Sequence, residues 1–162
     1  MPEPIRRTTA RVLPVNVEGE VLLLQDQDPA HPGVLRWISI GGAVDDGESL
    51  VEAALRELRE ETGIEAEPVS VLAIFDGMRL GFHSIPLYSL IFHCRMTGGS
   101  LKPHPLECLD VGFFPKDNLP EPLAGSGQWV DMAFEAIQGR QKETYFDRPR
   151  DPTWRSRSGE EG

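Results

Sequence analysis

Apolar and polar positions along this chain follow two rhythms. Val51, Ala54, Leu55 and Leu58 recur at helical period and predict one apolar stripe on a helix. Elsewhere the apolar runs are short and rich in β-branched residues. Residues 8–17 (TTARVLPVNV) and 20–25 (EVLLLQ) predict a hairpin that turns at Glu18-Gly19. Pro14 has no N–H for a ladder, so it predicts an edge or a bulge. Residues 67–76 and 85–96 read as two more strands, the second ended by Thr97-Gly98-Gly99. Residues 128–139 predict a second amphipathic helix, with Trp129, Met132, Ala133, Ala136 and Ile137 on its apolar side and Gly139 as its stop. Strands on both sides of a central helix, plus a late helix, predict an α/β fold with a mixed sheet between helices.

The central helix has signalled ends. Ser49 can cap its N-terminus, and Glu52 follows at capping-box spacing. Gly63 offers a left-handed stop, after which Ile64 can close onto Leu58. At about 100° per residue, Glu57, Glu60 and Glu61 share the side away from the apolar stripe. Like charges that close repel by a few tenths of a kcal/mol per pair in water, and by more when partly buried. Two groups can offset this. Arg56 reaches Glu60 and Glu52 at one helical turn in either direction. A hard divalent cation is the other, since magnesium prefers oxygen ligands and is held by a few carboxylates together with substrate phosphates. A plain solvated acidic face is the alternative for an arbitrary glutamate-rich helix.

The pattern is more specific than that. It runs Gly42, five residues, Glu48, seven residues, then Arg56-Glu57-Leu58-Arg59-Glu60-Glu61-Thr62-Gly63-Ile64. This resembles the Nudix box at every specified position. Seven fixed residues match by chance at roughly 10⁻⁸ to 10⁻⁹ per window. The approach Trp37-Ile38-Ser39-Ile40-Gly41-Gly42 also resembles the family's, with Ile40 where a proline usually stands. The likeness extends over residues 11–139. Residues 107–115 (ECLDVGFFP) resemble the family's late acidic residue and following strand.

The resemblance implies a Nudix-type α/β/α sandwich and divalent-metal-dependent hydrolysis of a diphosphate bond. It implies Glu57, Glu60 and Glu61 as metal ligands for magnesium, with manganese as the alternative ion. Arg56 and Glu48 are expected to support those glutamates. Glu107 is expected to face the site, as ligand or base, or else to be a surface glutamate. The base stays open among Glu57, Glu60 and Glu107. Substrates of the expected kind are nucleoside diphosphates linked to another moiety: ADP-ribose, nucleotide sugars, nucleoside triphosphates or dinucleoside polyphosphates. The alternative is a catalytically silent nucleotide-sensing module. Arg79, Phe82 and His83 form a further candidate group for base and phosphate, against a plain hairpin loop.

Composition narrows the setting. The chain has 162 residues, 40% hydrophobic and 26% charged, which suits one domain with a proper core. Residues 1–140 are expected to form that domain, and residues 141–162 a polar, loosely ordered tail. The net charge of −10 argues against a duplex nucleic-acid partner. Two cysteines make no disulfide framework, and no apolar run approaches the ~20 residues of a membrane span. A cytoplasmic protein is expected, with a small nucleotide substrate, no membrane partner, and a homodimer allowed by analogy.

Overall fold

The computed structural model describes residues 8–28, 31–78, 87–102, 110–124, 127–140 and 144–147. Among these, eight strands form one mixed sheet. They are β1 (Thr8–Val15), β2 (Val21–Gln27), β3 (Leu35–Ile38), β4 (Ile40–Ala43), β5 (Ile64–Met78), β6 (Leu87–Gly99), β7 (Asp110–Phe114) and β8 (Tyr145–Asp147). Helix α1 (Leu50–Thr62) follows β4, and α2 (Gln128–Ile137) follows β7. The strand order is β3-β2-β1-β6-β5-β8, with β4 added to β1 and β7 to β2.

The continuous apolar runs are strands buried on both faces. Ala10, Val12, Leu22, Leu24, Ile40, Phe92 and Cys94 pack with Ala53, Ala54 and Leu58 of α1. Leu13, Val15, Val21, Leu23, Trp37, Leu72 and Ile91 pack with Trp129, Val130, Ala133 and Phe134 of α2. The sandwich expected from the sequence is therefore present, with one helix on each face of the sheet.

The expected hairpin is a hairpin only at its tip. β1 and β2 pair at Val15↔Val21 and then part. A strand has two edges, and β1 gives one to β6, in parallel from Thr8↔Tyr88 to Val15↔Arg95. The other edge takes β4 over Thr9 to Val12, so β2 turns to β3 and β7. Pro14 is therefore not at a sheet edge. It is fully buried in a central strand, opposite Cys94. On its other side the β4 ladder has ended at Val12 and the β2 contact has not begun, so a missing N–H costs little there.

Both helix stripes differ from expectation by a rotation. On α1, Ala53, Ala54, Leu58 and Thr62 are buried, while Val51 and Leu55 are only partly covered. The two small alanines let the helix lie close to the sheet and leave the larger residues at its flanks. On α2, Val130 and Phe134 join Trp129 and Ala133 in the core, and Met132, Ala136 and Ile137 flank them. Trp129 Nε1 donates to the Ala124 carbonyl at 3.0 Å, which pins that rotation.

The strands after α1 are longer than their patterns suggest. β5 begins at Ile64, directly after Gly63, and β6 continues through Thr97-Gly98-Gly99. Gly63 sits at φ 77° and donates its N–H to the Arg59 carbonyl at 2.9 Å. A Cβ on Gly99 would lie 2.2 Å from the Gly63 carbonyl oxygen. The end of the helix and the end of β6 can touch only because that side chain is absent. Within residues 141–162, β8 runs parallel to β5, and Thr144 Oγ1 donates to the Val71 carbonyl at 2.9 Å. No helix among the described residues is long and apolar enough to cross a membrane.

Two predictions follow from this packing. Leu58→Ala empties a fully buried position under α1 and is expected to cost about 2–5 kcal/mol, read from urea unfolding midpoints. Burial pushes the Cys94 thiol up to about 12, so almost no thiolate exists at pH 8. Cys94 is expected to stay unreactive toward an aromatic disulfide reagent at that pH and to react once urea unfolds the chain.

Candidate active site

The site begins where β4 runs into α1. Gly47, at φ 85°, turns the chain, and the Glu48 N–H donates to the Asp45 carbonyl at 3.1 Å. Ser49 Oγ accepts from the Glu52 N–H at 3.1 Å, which is the cap the spacing predicts. The helix so started carries Arg56, Glu57, Glu60 and Glu61 on its second and third turns.

Arg56 is the hub of this acidic group. Its Nε donates to Glu48 Oε2 at 2.7 Å and its Nη2 to Glu48 Oε1 at 3.0 Å, a two-point fork. Its Nη1 donates to Glu57 Oε1 at 3.1 Å and to Glu60 Oε2 at 3.2 Å. Asp45 Oδ2 lies 3.3 Å from Nη2, and the Ala43 carbonyl accepts from the same nitrogen. Glu48 Oε1 in turn accepts from the Asp45 N–H at 2.9 Å. The Glu48 bonds raise the Arg56 pKa above its already high ordinary value, so it is a permanent cation. Of the two partners expected one turn away, Glu60 is engaged; Glu48 and Glu57 supply the other bonds.

The glutamates do not share one exposure. The Glu57 side chain is 17% exposed and that of Glu60 is 52%. Glu61 is half-buried. Glu57 lies directly against β4, since a Cβ on Gly42 would sit 2.7 Å from Glu57 Oε1. A cleft of about 520 Å³ on the other flank of Arg56 is lined by Glu48, Arg59 and Thr97, and not by Glu57 or Gly42.

Two residues that the sequence did not single out belong to this region. Arg11 Nε donates to Ser39 Oγ at 2.9 Å, and Arg11 Nη2 donates to the Ser39 carbonyl. Arg11 pairs in register with Gly41, and a Cβ on Gly41 would lie 2.8 Å from Arg11 Cγ. Burial lowers the Arg11 pKa, while the carboxylates of Glu61, Asp26 and Glu57 act to raise it and Arg36 to lower it. Arg36 itself is held by Asp26 at 3.1 Å. The available signal was a single charged residue inside TTARVLPV.

Glu107, Arg79, Phe82 and His83 lie outside the described residues. Ile40, in place of a proline, is fully buried among the residues that cover α1. Among the described residues no three acidic, histidine or cysteine groups converge tightly enough to cage an ion. Arg56 occupies Glu57 and Glu60 instead. The donor set is nonetheless all carboxylate oxygen, which suits a hard cation that shares its shell with water and phosphate.

Fold and acidic helix together define a three-layer α/β domain whose charged helix starts from a Gly-Gly strand. The NUDIX domain family profile matches residues 5–131, and the chain belongs to the Nudix family. It is 33% identical over 112 residues to the mouse (Mus musculus) 8-oxo-dGDP phosphatase NUDT18, covering 67% of this chain and 32% of that protein. It is 32% identical over 114 residues to the NAD-capped RNA hydrolase NudC of Stutzerimonas stutzeri, covering 70% of this chain and 39% of that protein. The chain thus spans 32% and 39% of the length of these two relatives. The crystal structure of an ADP-ribose pyrophosphatase from Streptococcus suis is similar at TM-score 0.67 and 26% identity, covering 88% of this chain and all of that one.

Gly42→Ala tests the contact between β4 and Glu57. Its methyl group displaces the Glu57 carboxylate by about an ångström. Turnover is expected to fall on the order of a hundredfold, with the thermal midpoint within a few degrees of wild type. Activity assays beside a thermal melt would check this.

Proposed function

We propose that this chain is a divalent-cation-dependent hydrolase of a diphosphate bond in a nucleoside diphosphate linked to another moiety. The observation that carries the reading is the acidic group gathered on Arg56, with Glu57 set against Gly42. The names of the relatives support it, since an oxidised nucleoside diphosphate, an NAD cap and ADP-ribose all present a diphosphate joined to a nucleoside.

Each residue has a part in this reading. Glu57, Glu60 and Glu61 would hold magnesium or manganese, which would supply positive charge against the diphosphate charge that otherwise repels a nucleophile. Arg56 keeps the glutamates at a fixed spacing through Glu48. Glu48 works at one remove, because both its oxygens are engaged by Arg56 and by the Asp45 N–H. Removal of a proton from the attacking water falls to a carboxylate, with Glu57, Glu60 and Glu107 as candidates.

The test is a panel of ADP-ribose, nucleotide sugars, nucleoside triphosphates and dinucleoside polyphosphates, each with magnesium and with chelator. One class is expected to be cleaved only with the metal. Glu60→Gln and Glu61→Gln are each expected to reduce that turnover by roughly a hundredfold or more without unfolding the protein. Wild-type rates in both variants would sink the assignment.

A further inference from the structure

We propose that Arg11 is a substrate-binding residue whose guanidinium, clamped on one edge by Ser39, takes phosphate oxygens of the diphosphate on its free edge. The inference rests on the diphosphate hydrolysis proposed above and names the group that receives the substrate's charge.

A guanidinium has five N–H donors. Ser39 takes one from Nε and one from Nη2, which uses the side edge of the fork. The end-on edge, Nη1 with the second Nη2 hydrogen, has no acceptor among the described residues. Nor does any described carboxylate form an ion pair with Arg11. Its neighbours differ: Arg36 is bonded to Asp26, and Arg56 to Glu48, Glu57 and Glu60. A half-buried guanidinium left with a neutral partner is costly, and fold stability alone gives no reason for one in an apolar strand.

Its surroundings explain why the charge persists and what would meet it. Glu61, Asp26 and Glu57 act on it through space without bonding to it. They partly offset the effect of burial on the guanidinium, which stays charged as any arginine does. The parallel N–H pair of that open edge matches two oxygens of a phosphate. Gly41 and Gly42 place it. The Arg11 stem lies over Gly41, and the Glu57 carboxylate lies over Gly42. Successive residues of a strand face opposite ways, so β4 brings the cation from one side and the α1 carboxylates from the other. A diphosphate lying along β4 would meet Arg11 on one side of the strand and those carboxylates on the other. A lysine there has no fork, and without the Ser39 hydroxyl the fork keeps only its bond to the residue 39 carbonyl.

The test is calorimetric binding of non-hydrolysable methylene diphosphates of adenosine and uridine, with magnesium present, to wild type, Arg11→Met, Arg11→Lys and Ser39→Ala. Arg11→Met is expected to weaken binding by roughly ten- to a hundredfold. Arg11→Lys is expected to recover part of that loss, and Ser39→Ala to show a smaller one. Manganese binding without nucleotide, read by electron paramagnetic resonance, is expected to stay within about twofold of wild type in Arg11→Met. Wild-type analogue affinity in Arg11→Met overturns the proposal. So does loss of manganese binding in step with the analogue, which makes Arg11 a positioning residue for the glutamates. If Arg11→Met does not fold, wild-type affinity in both Arg11→Lys and Ser39→Ala overturns it. Wild type that binds neither analogue overturns it too. Because binding needs no turnover, failure of the hydrolase reading appears separately, as an absence of cleavage in the substrate panel.

Discussion

Carboxylates crowded on one helix face must be held against their own repulsion, and Arg56 holds two of them, Glu57 and Glu60. The repulsion is modest, a few tenths of a kcal/mol for each exposed pair. A bidentate bond from a guanidinium to a carboxylate is stronger than that. Arg56 makes such a bond to Glu48 and spends its remaining donors on Glu57 and Glu60. The balance therefore favours Glu57 and Glu60 gathered on Arg56 over the same side chains splayed apart. Because the fork is anchored on Glu48, in the turn before α1, the cluster is tied to β4 as well as to its own helix.

The rest of the structure serves that placement. Ala53 and Ala54 let α1 approach the sheet, and Leu58 locks it there. Gly42 gives the Glu57 carboxylate a bare surface to lie on. At the other end, Gly63 and Gly99 touch backbone to backbone, so the helix ends directly on the β5–β6 ladder. Helix start, helix end and helix face are thus each set by a contact with the sheet.

A site of this kind handles a diphosphate by charge, and charge alone does not choose among nucleosides. The relatives reflect this, since their printed activities differ while the diphosphate is common to them. Beside the site, on the other side of β4, lies the pair Arg11 and Ser39. They add a fixed positive edge to a region otherwise dominated by acids, in a protein whose net charge is −10.

Much of this was legible in the residues. The box helix, its Ser49 cap and its Gly63 stop are local: each depends on groups within four residues, so spacing alone predicts them. The charge cluster follows from helical period, and the apolar runs announced strands buried on two faces. Partnerships at long range were not legible. Pro14 looked like an edge residue because its missing N–H is visible in the sequence, while the gap between β4 and β2 that accommodates it is not. Arg11 looked like one polar residue in a strand, because Ser39 comes 28 residues later and meets it only through the β1–β4 ladder. By itself the sequence determined which residues carry charge, both helices and the longer apolar strands, since those depend on neighbours along the chain, while the short strands β3, β4 and β8 appear only where the sheet supplies their partners. The tertiary structure alone decided which glutamate is the most covered, which glycine must stay bare and which arginine keeps donors without an acceptor among the described residues. Those depend on what the sheet brings alongside.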